Sequence, residues 1–365
     1  MQQKLNDQIF YYLKKIPSPN IEVNIVDAGL VSKAFITHDK IYLSINVIPA
    51  PDGFFEQLIQ IIKNKLSVIA PDYQAIISLT KEKKTLDSEK FSTKTLPTPQ
   101  ALPGVKFIIA VASGKGGVGK STIAFNLSLA LAKQGLKVGL MDADIYGPSL
   151  PLLTGLKQKP AVDDNKRLIP LQAWGLKLMS IGFLINQNEA AIWRGPMVMG
   201  AVRQMLKEVS WAPLDILVID MPPGTGDAQL TIIQQIKLDG AIIVSTPQEM
   251  ALVDARRAIT MFNKLAINIL GIIENMSYFV APDTGVSYDI FGKGGAKNLA
   301  SQQNIKFLAE LPFSLPLRTS ADAGEPLVQQ IEQQHDICEI NKNFVEIAAQ
   351  IMQNLLSNRG TENER

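Results

Sequence analysis

The segment Gly114-Lys115-Gly116-Gly117-Val118-Gly119-Lys120-Ser121 has the form G-x-x-x-x-G-K-S, the phosphate-binding P-loop. Its glycines let the backbone turn so that successive N–H groups point at phosphate oxygens. Lys120 brings a positive charge to the terminal phosphates, and the Ser121 hydroxyl can hold Mg²⁺. Such a loop needs a buried strand before it and a helix after it. Phe107 to Ala112 is a short apolar run of the kind buried in a parallel sheet. Ile123, Leu127, Ala130 and Leu131 then recur at helical spacing, with Gly135 as the stop. The helix start would face the phosphates with its positive dipole end. The nucleotide-binding set is Gly114 to Ser121 together with Thr122.

From Val105 onward, apolar strands alternate with helical patterns, which predicts a doubly wound, mostly parallel α/β sheet over residues 105–355. Lys137 to Met141, Leu214 to Asp220, Gly240 to Ser245, Ile269 to Ile273 and Phe307 to Leu311 read as strands. In open α/β sheets ligands bind outside the carboxyl ends of the strands. Acids stand at two of those ends. Asp142 and Asp144 follow the second strand and suit Mg²⁺ and water management; the alternative is that they cap the following helix or terminate a strand. Asp220 ends an apolar run as a Walker B aspartate does, holding Mg²⁺ through water. Met221 to Asp227 then reads as a shaped loop able to respond to hydrolysis.

Residues 1–80 read as a small α+β domain. Ile9 and Leu13 give a first helix an apolar face. Lys33–Thr37 and Ile41–Val47 form a hairpin about His38-Asp39, and Phe54 to Ser67 is helical with Phe55, Leu58, Ile61, Ile62 and Leu66 on one side. Ala75 to Leu79 is a third strand. Residues 81–104, rich in charge, Ser/Thr and Pro, read as a linker, and residues 356–365 as a disordered tail.

The net charge of +2 over 365 residues offers no electrostatic case for nucleic acid or an anionic membrane, so neither partner is expected. No run approaches the roughly 20 apolar residues of a membrane span. The single cysteine, Cys338, excludes an intrachain disulfide, and a cytoplasmic protein is expected.

The second lysine, Lys115, gives the loop the deviant Walker A form, and the chain resembles the group containing MinD, ParA and the nitrogenase iron protein. The segments DADIYGPS, IWRGPM, DMPPGTGD, STPQEMAL and ENMSYF occur in order and narrow the resemblance to the Mrp/ApbC branch, ATPases described as iron–sulfur cluster carriers or assembly factors. It covers residues 105–350; residues 1–80 resemble, less closely, a small domain fused ahead of such ATPases. The resemblance implies ATP and Mg²⁺ as cofactors and a homodimer in which Lys115 reaches the facing subunit's phosphates. Asp144 would position the attacking water, and Lys115, Lys120 and Asp144 form the catalytic set. Ser121 and Asp220 would hold Mg²⁺. Asn275 would recognise the adenine edge, with Pro247 and Gln248 nearby; the alternative for Asn275 is a turn former. Apo iron–sulfur proteins or assembly machinery are the implied partners.

One block departs from the pattern. Cluster-binding members carry C-x-x-C just after ENMSYF, so that two subunits can supply four thiolates to a shared cluster. Here Ala281 and Thr284 occupy the two cysteine slots. Alanine cannot ligate iron, and a threonine hydroxyl is a poor substitute for a thiolate. No iron–sulfur ligand set is therefore expected, although the resemblance makes a cluster possible. The alternative function is a MinD- or ParA-like positioning or regulatory switch without cluster binding.

Overall fold

The computed structural model describes residues 9, 11–17, 24–28, 30–37, 40–46, 53–71, 73–80, 99–184, 195–327 and 335–363. The chain divides into two compact units, Met1–Ser92 and Thr93–Arg365.

In the first unit, β1 (Val31–Thr37) pairs antiparallel with β2 (Lys40–Asn46), and β2 pairs parallel with β3 (Gln74–Thr80). Parallel neighbours need a crossover, supplied here by the helix Phe54–Ile69. Ile41, Leu43 and Ile45 are buried at the period of a strand with one face inward. Leu58, Ile62 and Leu66 meet them, as do Ile9 and Leu13. Ile61, expected on the same helical face, is instead 46% exposed: the buried stripe runs at intervals of four, and Ile61 falls outside it. The expected turn residues His38 and Asp39 lie outside the described residues.

The second unit contains β4 (Val105–Ala112), β5 (Val138–Asp142), β6 (Leu171–Ala173), β7 (Leu176–Ser180), β8 (Leu214–Asp220), β9 (Gly240–Ser245), β10 (Ile269–Glu274), β11 (Phe279–Val280), β12 (Ser287–Tyr288) and β13 (Phe307–Glu310). Its main sheet has the order β13-β10-β9-β4-β8-β5-β7-β6. Neighbours are parallel except β6, which is antiparallel to β7. Side chains along β4 alternate between two cores, Phe107, Ile109 and Val111 in one and Ile108, Ala110 and Ala112 in the other. A strand buried on both faces must be apolar throughout. From β4 the chain moves out to β5 and β7, returns through β8 beside β4, and continues to β9 on its other side. This reversal opens a crevice at the carboxyl end of β4.

Residues 99–104, the end of the expected linker, pack on this unit. Gln100 bridges to Ile236, and Leu102 packs on the core. The last helix, His335–Asn363, buries Phe344, Ile347, Ile351 and Leu355. It continues through Asn363 where a disordered tail was expected from residue 356, because the preceding turns anchor one apolar stripe against the core. Residues Trp193 and Arg194 and the side chain of Cys338 lie outside what the structure describes. Among the described residues, no helix is long and apolar enough to cross a membrane.

Candidate nucleotide site

The P-loop leaves β4 and enters the helix Lys120–Lys133 at its N-cap, Gly119. Gly119 has φ +82°, and a Cβ there would lie 2.2 Å from Asn275 Nδ2. At Gly114 a Cβ would lie 2.1 Å from the backbone of Asp254. Both positions therefore exclude a side chain. The helix has no side-chain cap and no acidic residue in its first turn. Its leading N–H groups face the crevice as anion donors.

Lys120 is buried and ion-pairs with the Asp220 carboxylate. Its Nζ is also 3.3 Å from Ser121 Oγ. Burial pushes the Asp220 carboxyl up, and the Lys120 ammonium and Ser121 hydroxyl pull it back. Ser149 Oγ lies 3.4 Å from Ser121 Oγ. Ser121, Ser149 and Asp220 thus gather oxygen donors beside the loop, the donor chemistry that Mg²⁺ takes when phosphate and water complete its shell. Nothing in the sequence marks Ser149 as a ligand, although it stands within DADIYGPS.

Asp142 and Asp220 are register partners on adjacent strands. The Asp142 carboxylate accepts hydrogen bonds from the N–H groups of Asp144 (3.0 Å), Ser149 (2.9 Å) and Leu150 (3.1 Å), and from Ser180 Oγ (3.0 Å). Asp142 therefore builds the loop and anchors the start of the helix Leu150–Thr154. Burial and the charge of Asp220 raise its carboxyl to about 7 against the pull of these bonds. Asp144 is half-buried at the loop's turn and accepts from Gly147 N–H at 3.1 Å. Just beyond β8, between β4 and β5, Gly224 N–H donates to the Ser113 carbonyl at 3.1 Å. This ties the Met221–Asp227 loop to the start of the P-loop. Lys115 is half-buried and has no ion-pair partner among the described residues.

A cavity of about 280 Å³ adjoins the loop, with Gly119, Thr122, Asn275, Met276, Phe313 and Arg318 among its walls. Asn275 is buried, and its Nδ2 donates to the Val118 carbonyl at 2.9 Å. It therefore braces the P-loop as well as facing the cavity. Pro247 and Gln248, expected near the base, do not line it; the Pro247 carbonyl abuts Gly295. The wall from Pro312 to Asp322 was not anticipated, because nothing in its composition marks it as binding surface.

The profile of the NUBPL iron-transfer P-loop NTPases, within the ParA group, matches residues 104–352. The chain belongs to this family. An iron–sulfur cluster carrier protein from Haemophilus influenzae is 40% identical over 346 residues, covering 94% of this chain and 90% of that one. An Arabidopsis thaliana protein described as an iron–sulfur protein required for mitochondrial NADH dehydrogenase is 51% identical over 247 residues, 67% of this chain and 79% of its own. Among solved structures, a nucleotide-binding protein from Archaeoglobus fulgidus in complex with ADP is 44% identical over 65% of this chain and 92% of its own, with a TM-score of 0.55. The Pyrococcus furiosus cell-division ATPase MinD shares the fold at 22% identity and a TM-score of 0.51, covering 68% of this chain and 99% of its own. The chain is thus a P-loop NTPase of the doubly wound α/β class.

In this family member the two slots of the C-x-x-C pattern fall on the turn between β11 and β12. Ala281 N–H donates to the Val286 carbonyl, and Gly285 N–H to the Ala281 carbonyl, at 2.9 and 2.8 Å. Thr284 Oγ1 accepts from Val286 N–H at 3.4 Å. The turn is closed by its own backbone and presents no thiolate, so its donor set does not fit an iron–sulfur cluster.

Proposed function

We propose that this chain is a Mg²⁺-dependent ATPase acting as a homodimeric iron–sulfur assembly factor, with apo iron–sulfur proteins or the assembly machinery as its partners. The observation that carries the proposal is the buried Lys120–Asp220 pair at the mouth of an uncapped helix, within a family described by iron transfer. Backbone N–H groups from Gly116 to Ser121 would cradle the phosphates. Lys120 would exchange its carboxylate for a phosphate oxygen, freeing Asp220. Ser121 and Asp220, the latter through water, would hold Mg²⁺, which neutralises charge on the phosphate oxygens. Asp144 would orient a water and accept its proton as the water oxygen bonds to the γ-phosphorus. The bond to the bridging oxygen then breaks, and ADP leaves with that electron pair. Lys115 of the facing protomer would stabilise the charge that develops. With Nδ2 engaged on Val118, Asn275 Oδ1 is the atom left to accept from the adenine amino group.

The cluster enters this reading as cargo. The chain has only one cysteine, so two copies cannot furnish four thiolates. That favours a second reading, in which the nucleotide state controls a protein contact and no cluster is held. Transfer of a preassembled cluster to an apo-acceptor, with and without ATP, tests the first reading. ATP-stimulated transfer is expected, and transfer indifferent to both chain and ATP would overturn it.

A further inference from the structure

The segment Pro312-Phe313-Ser314 has a cavity on each side. One is the nucleotide cavity. The other, of about 310 Å³, has Tyr278, Phe279, Pro282, Phe313, Glu339 and Ile340 among its walls, and the ATPase reading makes no use of it. The aromatic wall is held firmly. The rings of Phe279 and Phe313 meet edge to face with centroids 6.3 Å apart. Phe313 N–H donates to the Tyr278 carbonyl at 2.7 Å.

The charge around this cavity is negative. Glu339 lines it, and Glu310 ends β13 one residue before Leu311. Burial, and then the charges of Glu339 and Glu310, push the Tyr278 phenol up, which places both carboxylates within its field. Neither glutamate has an ion-pair partner among the described residues. Lys342, the nearest described cation on the same helix, faces Glu346 at 4.0 Å.

A cavity with aromatic and aliphatic walls and a lining carboxylate that has no ion-pair partner among the described residues complements a cation carried on an apolar stem. We propose that this cavity is a docking pocket for a lysine or arginine side chain of a partner polypeptide. The apolar surface continues beyond the pocket, which favours a polypeptide over a free amine. Val280, Val286, Tyr288, Ile290 and Phe291, on and beside the β11–β12 hairpin, are 38% to 61% exposed. An apolar field around a charged anchor pocket is the layout of a protein contact. The pocket does not rest on the ATPase reading, since none of its walls belongs to the P-loop.

The test is fluorescence polarisation of labelled octapeptides with the full chain. Leucine alternates with lysine, arginine or glutamate in three peptides, and glycine alternates with lysine in a fourth. The leucine–lysine and leucine–arginine peptides should bind. Glu339→Gln should weaken them by about fivefold. Glu339→Lys should remove that binding and admit the leucine–glutamate peptide. Glu339 is exposed, so both variants should retain the wild-type melting temperature and ATP hydrolysis. Lys120→Ala should lose hydrolysis and keep peptide binding, which separates this proposal from the nucleotide reading. The proposal is overturned if no peptide binds at millimolar concentration, or if the glycine–lysine or leucine–glutamate peptide binds wild type equally well. It is also overturned if Glu339→Lys leaves peptide binding unchanged or converts a sedimenting dimer to monomer, the latter marking a face between two copies.

Discussion

Lys120 Nζ and the Asp220 carboxylate are paired where less than a tenth of either side chain is exposed. Removing one partner leaves a buried charge uncompensated, at a cost of about 3–5 kcal/mol. Lys120→Ala should therefore lower nucleotide-free stability as well as reducing hydrolysis by about 10²-fold or more. Lys120→Met with Asp220→Asn should recover much of the stability and none of the activity. Denaturant unfolding alongside phosphate release distinguishes the two effects; wild-type turnover in Lys120→Ala would remove this lysine from the chemistry.

Gly117 and Gly119 share a φ of +82° but not their surroundings. A Cβ at Gly117 meets nothing within 4 Å, whereas one at Gly119 meets Asn275 Nδ2. Both alanine variants carry backbone strain of about 1–2 kcal/mol. Only Gly119→Ala should also displace Asn275 from the Val118 carbonyl, and calorimetry should show the greater loss of ADP affinity there. Equal losses would mean that Asn275 does not brace the loop.

The carboxyl of Asp142, raised to about 7, gives a stability slope with a definite sign. The folded state keeps a proton that the unfolded chain loses near its ordinary value of about 3.9. The contribution is fully present below about pH 4 and is lost as pH rises through 7. Asp142→Asn carries a fixed loss, because an amide has one acceptor oxygen: turned to Ser149, Leu150 and Ser180, it leaves its nitrogen facing Asp144 N–H, from which it cannot accept. It should lack the slope. Between pH 5 and 8, wild type should lose roughly 3 kcal/mol relative to this variant. Unfolding curves without nucleotide read the difference; parallel profiles would show that Asp142 stays ionised throughout.

Iron and sulfide reconstitution tests the hairpin turn directly. Wild type should form no stable cluster absorbance. Ala281→Cys with Thr284→Cys should gain it at about one four-iron cluster per two chains. Cluster formation by wild type would mean that ligands come from outside this turn.

The central strands were legible because burial on both faces forces uninterrupted apolar runs, as in Ile216 to Ile219. The P-loop was legible because its spacing follows from the phosphate contacts themselves. β6 and β7 were not: Leu176-Lys177-Leu178 is short and carries a lysine, and it becomes a strand only by pairing with β5. Helix capping by Asp142 is one of the readings its position offers, and Ser149 and Leu150 bear it out; its bond to Ser180 was hidden for a related reason. Its partners lie on two elements, and no local pattern reports that Ser180 will arrive beside it. The resemblance marks Asn275, but nothing local marks its bond to Val118, which spans 157 residues of sequence. The cavity wall from Pro312 onward carries no composition that distinguishes it from an ordinary loop.

The helix Lys120–Lys133 begins at a glycine, with neither a capping side chain nor an acid in its first turn. The phosphates of a bound nucleotide would supply that cap, so loading and folding are one linked equilibrium. Each tenfold rise in nucleotide above its dissociation constant then adds about 1.4 kcal/mol to stability, as a thermal-shift series in ADP would show. On this reading the protein's lifetime against proteolysis follows the cell's adenylate supply, and starvation would thin its population without any change in its synthesis.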